Sequence, residues 1–181
     1  MSNIFFCSDH HFSHQGMLNF KRADGVTPLR SFKDVDHMNE YMVMQHNRVV
    51  KASDRVYFIG DVAMNKKALP ILNRMVGRKI LIRGNHDTEN ASEYLKYFDD
   101  VRGVHQFDGL LIGHIPVHPD SLGRWGCMVH GHLHSNRVMT AFGARVDERY
   151  FNVSMECLDD YTPISLEDLK KKLKFVLESY S

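Results

Sequence analysis

Residues 80–87 read Ile80-Leu81-Ile82-Arg83-Gly84-Asn85-His86-Asp87. A run of branched apolar residues, the composition of a buried strand, gives way to a glycine and then at once to an amide, an imidazole and a carboxylate. The same grammar recurs four more times. Ile4-Phe5-Phe6-Cys7 leads to Asp9 and His11, and Val56-Tyr57-Phe58-Ile59 leads to Gly60-Asp61. Leu110-Leu111-Ile112 leads to Gly113-His114, and Met128-Val129 leads to His130-Gly131-His132-Leu133-His134. A lone Gly-Asp or Gly-His says almost nothing, and a His-x-His pair suits any polar loop. Five strand endings in order, each followed by residue types that bind metals, say much more. Sheets with parallel strands collect ligands beyond the carboxyl ends of those strands, so five such endings can meet in one crevice.

Working outward, apolar runs place strands at Ile4–Cys7, Arg55–Ile59, Lys79–Ile82, Val104–Phe107, Leu110–Ile112, Cys127–Val129 and Tyr150–Ser154. Amphipathic stretches predict helices over Asp34–Ala52, Lys66–Met75 and Leu166–Ser179, with a shorter one near Glu89–Phe98. In the first, Met38, Met42, Gln45 and Val49 share a face, with Tyr41 and Met44 beside it; methionine at that spacing packs a core. In the last, Leu166, Leu169, Leu173, Val176 and Leu177 form the buried face, and Lys170, Lys171, Lys172 and Lys174 cover the solvated one. Strands alternating with helices make an α/β or α+β sheet protein. With no repeat, low-complexity tract or long linker, residues 1–181 read as one domain.

The 181 residues are 43% hydrophobic and 25% charged, the balance of a soluble globular protein. No apolar run approaches the roughly 20 residues of a membrane helix. The N-terminus lacks a basic region and meets Asp9 too early for a signal peptide, so the expected compartment is the cytoplasm. A net charge of +1 exerts no global pull on nucleic acid or an anionic membrane. Cys7, Cys127 and Cys157 are odd in number, far apart and set among apolar residues, which predicts reduced, buried thiols. Histidine is the outlier. Twelve occur, mostly clustered with aspartate, asparagine and glycine, and imidazole is the commonest protein ligand for transition metals.

Spacing points the same way. Asp9 and His11 are two apart, as are His132 and His134, so in extended chain each pair faces one side. Gly60, Gly84, Gly113 and Gly131 allow sharp turns and close backbone approach beside a ligand.

The series Asp-x-His, Gly-Asp, Gly-Asn-His-Asp, Gly-His and Gly-His-x-His, from Asp9 to His134, resembles the calcineurin-like metallophosphoesterase superfamily. The flanks Ser8-Asp9-His10-His11-Phe12-Ser13-His14, His114-Ile115-Pro116-Val117-His118-Pro119 and Asn152-Val153-Ser154-Met155-Glu156 are similar to its small bacterial and phage branch. Many members have glycine where this chain has Ser13. The resemblance implies a four-layer αββα sandwich, two packed mixed β-sheets flanked by helices. It also implies a ligand set: Asp9, His11 and His134 for one metal, Asn85, His114 and His132 for another, and Asp61 bridging the two. A bridging carboxylate suits cations about 3.5–4 Å apart. Imidazole, amide and carboxylate donors without thiolate favour Mn, with Fe, Zn or Ni also suited.

The activity so implied is hydrolysis of a phosphodiester or phosphomonoester on a nucleotide or other small molecule, by hydroxide shared between two divalent cations. His86, beside a ligand but not one itself, is the candidate for protonating the leaving oxygen, with Asp87 orienting its imidazole. His14 and Arg48 are weaker candidates for contact with the substrate phosphate. Asn47, Arg83 and Arg137 lie near motif positions, His118 sits in a His-Pro turn, and Trp125 suits the core better than base stacking. His37, His46 and His105 read as surface or packing residues. A nuclease or RNA-end (2′,3′-cyclic phosphate) phosphoesterase would share the site but need a groove for polymer, which the near-zero charge disfavours. A scaffold that had lost catalysis would be expected to lose ligands, and all seven positions are filled.

Overall fold

The computed structural model describes residues 2–140, 143 and 145–179, with side chains up to residue 173. Strands β1 (Ile4–Cys7), β2 (Arg55–Phe58), β3 (Arg78–Ile82) and β4 (Asp100–Arg102) run parallel, in the order β4-β3-β2-β1. The two-residue β9 (Ile164–Ser165) closes that sheet antiparallel to β1. A second mixed sheet orders β5 (Val104–Phe107), β6 (Leu110–Gly113), β7 (Cys127–His130) and β8 (Tyr150–Asn152) consecutively; only its β5–β6 pair is antiparallel. Helices α1 (Val35–Val49), α2 (Ala91–Tyr94) and α3 (Leu166–Ser179) complete the described framework.

Period-2 alternation packs the sheets together. Leu110, Ile112, Cys127 and Val129 join Phe6, Tyr57, Ile80 and Ile82 in one continuous core, while the intervening Leu111 and Met128 face a smaller cluster with Leu122 and Tyr150. Met38 and Met42 of α1 are fully buried in the main core, as expected, whereas Met44 is exposed. Leu169 and Leu173 of α3 are buried, and the side chains of Lys174, Val176 and Leu177 lie outside the described residues. Trp125 packs on the smaller cluster. Among the described residues no helix is long and apolar enough to cross a membrane.

Five elements differ most from expectation. The Lys66–Met75 segment is a 3-10 helix over Lys66–Arg74, because Pro70 inside it cannot donate the α-helical bond. Asp34 is the N-cap of α1, its side chain accepting the His37 N–H, and the helix stops at Val49 because Val50 turns extended to bury itself. The Glu89–Phe98 helix shrinks to the single turn of α2. Strands β4 and β9, of three and two residues, are too short to leave an apolar period in the sequence.

The sheets meet where the candidate ligands lie. Ser8, just past β1, forms a parallel bridge to Ser154, just past β8, and the Met155 N–H donates to the Ser8 carbonyl at 3.0 Å.

Candidate metal centre

The strand ladders continue into the loops that carry the ligand candidates. Beyond β1 and β2, the amides of Asp9, His11 and Phe12 donate to the carbonyls of Gly60, Asp61 and Val62, each at 3.0 Å. Beyond β6 and β7, the Gly131 N–H donates to the His114 carbonyl at 3.1 Å. The chain here is not extended. Asp9 (φ 57°), His11 (50°), Asp61 (52°), His132 (69°) and His134 (51°) are all left-handed, a conformation that costs non-glycine residues energy and clusters at functional sites. The i, i+2 pairs do converge, but by alternating turns rather than by the pleat of a strand. Two glycines make room. A Cβ on Gly84 would collide with the Asp61 carboxylate, and one on Gly131 with Ser8 Oγ and Asp9 Oδ2.

Two groups of potential ligand atoms result, each within a 4.8 Å span: Asp9, His11 and His134, and Asp61, His114 and His132. Asp9 Oδ2 accepts the Ser154 hydroxyl at 2.9 Å and the His132 N–H at 3.0 Å, whereas Oδ1 is buried without a hydrogen bond. His11 Nε2, also buried and unbonded, lies 3.7 Å from that Oδ1 and 3.8 Å from Asp61 Oδ2. The same Asp61 oxygen is 3.3 Å from His114 Nε2. Asn85 Oδ1 joins the second group, 3.1 Å from His114 Nε2 and 2.9 Å from His132 Nδ1.

The donor set fits a cation. His114 Nδ1 lies 2.7 Å from the Ile59 carbonyl and must carry hydrogen there. In the neutral ring, Nε2 then presents a lone pair to the acceptors Asp61 Oδ2 and Asn85 Oδ1, an arrangement that only a proton or a cation reconciles. Burial lowers the His114 pKa, but Asp61 and Asp9 outweigh it and pull the imidazolium up to about 9. Burial likewise raises Asp9 and Asp61, and the surrounding histidines overcome it, holding both carboxyls below their usual range.

A brace absent from the sequence reading stands behind the first group. Arg30, 1% exposed, donates to the His10 carbonyl at 2.8 Å, to the Asp9 carbonyl, and to Glu156 Oε2 through Nη2 at 2.7 Å and Nε at 3.1 Å. The other oxygen of Glu156 receives the Nδ1–H of His134. Glu156 is a charged residue inside the apolar run Val153-Ser154-Met155-Glu156-Cys157-Leu158, the one local hint of a buried partner. Burial raises the Glu156 pKa, yet Arg30 and His134 bring it below normal.

Of the remaining candidates, His86 anchors its backbone N–H on Asp61 Oδ1 at 2.9 Å, and its half-exposed ring reaches within 4.0 Å of Asp61 Oδ2. The His14 ring lies tilted against that of His11 with centroids 5.7 Å apart, and burial lowers its pKa. Arg48 is not brought to this cluster: it is exposed and contacts Asp160 and Thr162. The carboxylate of Asp87 bonds backbone amides rather than the His86 ring. Arg83 braces the same turn through the carbonyls of Asp87 and Glu89. The cysteines are free, Cys7 and Cys127 buried and Cys157 half-buried; burial raises all three thiols, Cys157 to about 11.

Two mixed sheets whose strands end in a shared crevice of carboxylates and imidazoles define the metallophosphoesterase class of fold. The chain belongs to the calcineurin-like phosphoesterase family, whose model matches residues 2–176. It is 30% identical over 180 residues to the uncharacterized protein MJ1445 of Methanocaldococcus jannaschii, covering 96% of this chain and 93% of that one. It also resembles the crystal structure of AQ665 from Aquifex aeolicus, a protein of unknown function. That match has 26% identity and a TM-score of 0.70, covering 94% of this chain and 99% of that one.

Proposed function

We propose that the chain hydrolyses phosphodiester or phosphomonoester bonds of a nucleotide or other small molecule, with Asp61 shared between two divalent transition-metal ions. One observation carries the reading: Asp61 Oδ2 lies between His11 Nε2 at 3.8 Å and His114 Nε2 at 3.3 Å, one oxygen serving both ligand groups. Asp9, His11 and His134 would hold one ion, and Asn85, His114 and His132 the other. Mn suits the mixed imidazole, amide and carboxylate donors, with Fe, Zn or Ni as alternatives. Such ions supply Lewis acidity, lowering the pKa of water and drawing charge from phosphoryl oxygens.

The protein's own groups do the rest. Hydrogen bonds to Asp9 Oδ2 from Ser154 and His132 leave Oδ1 as the free donor. The Ile59 carbonyl and Glu156 fix the Nδ1 protons of His114 and His134, aiming each Nε2 into the crevice. His86, tethered by its backbone to Asp61 with its ring open to solvent, is positioned to give a proton to the departing oxygen. The test is turnover in Mn²⁺ of a phosphomonoester, a diester, 2′,3′- and 3′,5′-cyclic nucleotides and single-stranded RNA, with metal content measured alongside. Hydrolysis of none of them by protein carrying two ions would refute the reading. Preference for RNA would move it to a nuclease.

A further inference from the structure

We propose that Glu156, locked by Arg30, is a positioning residue for His134 and makes the Asp9–His11–His134 position the tighter of the two metal positions. The inference rests on the two-metal reading above and adds an order to it. A buried ion pair is weak evidence for stability, because desolvating two charges offsets most of their attraction. The Arg30–Glu156 pair therefore calls for another use, and its geometry supplies one. The guanidinium fork spends two donors on one carboxylate oxygen of Glu156 and others on the Asp9 and His10 carbonyls. Glu156 is thereby held with its second oxygen against His134 Nδ1. One buried residue thus ties the left-handed turn bearing Asp9 and His11 to the loop bearing His134.

The other histidine ligands lack such backing. Among the described residues, His114 Nδ1 meets the Ile59 carbonyl and His11 Nδ1 meets the Met64 sulfur at 3.4 Å, while His132 turns Nδ1 itself toward the ligand oxygen of Asn85. A carboxylate behind an imidazole fixes its tautomer and raises its basicity toward a metal more than a carbonyl or thioether does. Formal charge runs the same way. The first position has Asp9 of its own and a share of Asp61, whereas the second has that share and three neutral donors. In exposure the groups differ only at Asn85, the one exposed member of the second, since His114 is as buried as His11 at 3%.

Chelator-stripped protein titrated with Mn²⁺ in a calorimeter tests this. Wild type should show two classes of affinity. Glu156→Gln should weaken the tighter class by about 10–100-fold, the usual cost of losing a partner behind a metal ligand, and leave the weaker class within a few-fold. His132→Ala should remove the weaker class alone. General loosening would lower both affinities together, so their ratio separates positioning from structural damage. Should Glu156→Gln fail to fold, Arg30→Met combined with Glu156→Gln removes both buried charges and is read by the same ratio. An unchanged ratio in the folded variant overturns the proposal. Wild type that binds one ion would overturn the two-metal reading instead. The role of Glu156 would then stand or fall on whether that single affinity drops at least tenfold.

Discussion

The carboxylate of Asp87 accepts the backbone N–H of Asp61 at 2.8 Å. Its two oxygens also take the amides of Gly84 at 2.8 Å and Val62 at 3.1 Å, and the residue is 1% exposed. Asp87 thus fastens the β3 loop to the β2 loop instead of orienting the ring of its neighbour His86. The first prediction follows. Asp87→Ala leaves two buried amides and the part-buried Gly84 amide without an acceptor, at about 1–3 kcal/mol for each buried one if it finds no water, so thermal unfolding should shift down by several degrees. Activity should fall through lost metal occupancy, by the same factor on good and poor leaving groups. A dependence on leaving group matching that of His86→Ala would restore the orienting role.

Asp61→Asn should damage turnover more than Asp9→Asn. One Asp61 oxygen faces both histidine groups, and the other accepts the His86 amide, whereas Asp9 Oδ1 serves only the His11 and His134 side. Steady-state kinetics at equal metal content checks the order, and near-normal turnover in Asp61→Asn would end the bridging assignment.

His86→Ala should keep both ions, since Asn85 and the other ligands remain. On alkoxide-like leaving groups kcat should drop by about 10²–10⁴-fold, the span of general acid catalysis. On nitrophenyl esters, which need little protonation, the loss should shrink. Equal losses on both at full occupancy would reject proton donation.

Acid should destabilise the fold through His46, away from the crevice. Its fully buried ring bonds the Val76 carbonyl through Nε2 at 2.8 Å, and burial lowers its pKa to about 4. The unfolded chain takes up this proton near pH 6.5 and the native one only near pH 4. The stability is therefore present above pH 6.5 and is lost as pH falls toward 4, at about 1.4 kcal/mol per pH unit for one proton. His46→Gln keeps a donor for Val76 and should flatten that slope by one proton in denaturant titrations of chelator-treated protein. An unchanged slope would mean that His46 does not carry it.

The sequence by itself determined seven of the nine described strands and the residue types that follow them. Apolar runs such as Ile80–Ile82 and the Gly-Asn-His-Asp that follows are local signals, because a strand's burial and a ligand's chemistry are written in consecutive residues. Parallel pairing then sends β1, β2 and β3 out at one end of their sheet. Tertiary structure decided the rest. The left-handed backbone at Asp9, His11 and Asp61 is imposed by bonds to a neighbouring loop about fifty residues away, which no i, i+2 spacing encodes. Arg30, in Leu29-Arg30-Ser31, has the look of a surface residue because arginine is rarely fully buried without a partner. Its partner Glu156 is 126 residues distant. A charge can enter a protein interior only when paired and hydrogen-bonded, and only the folded chain brings that pair together behind His134.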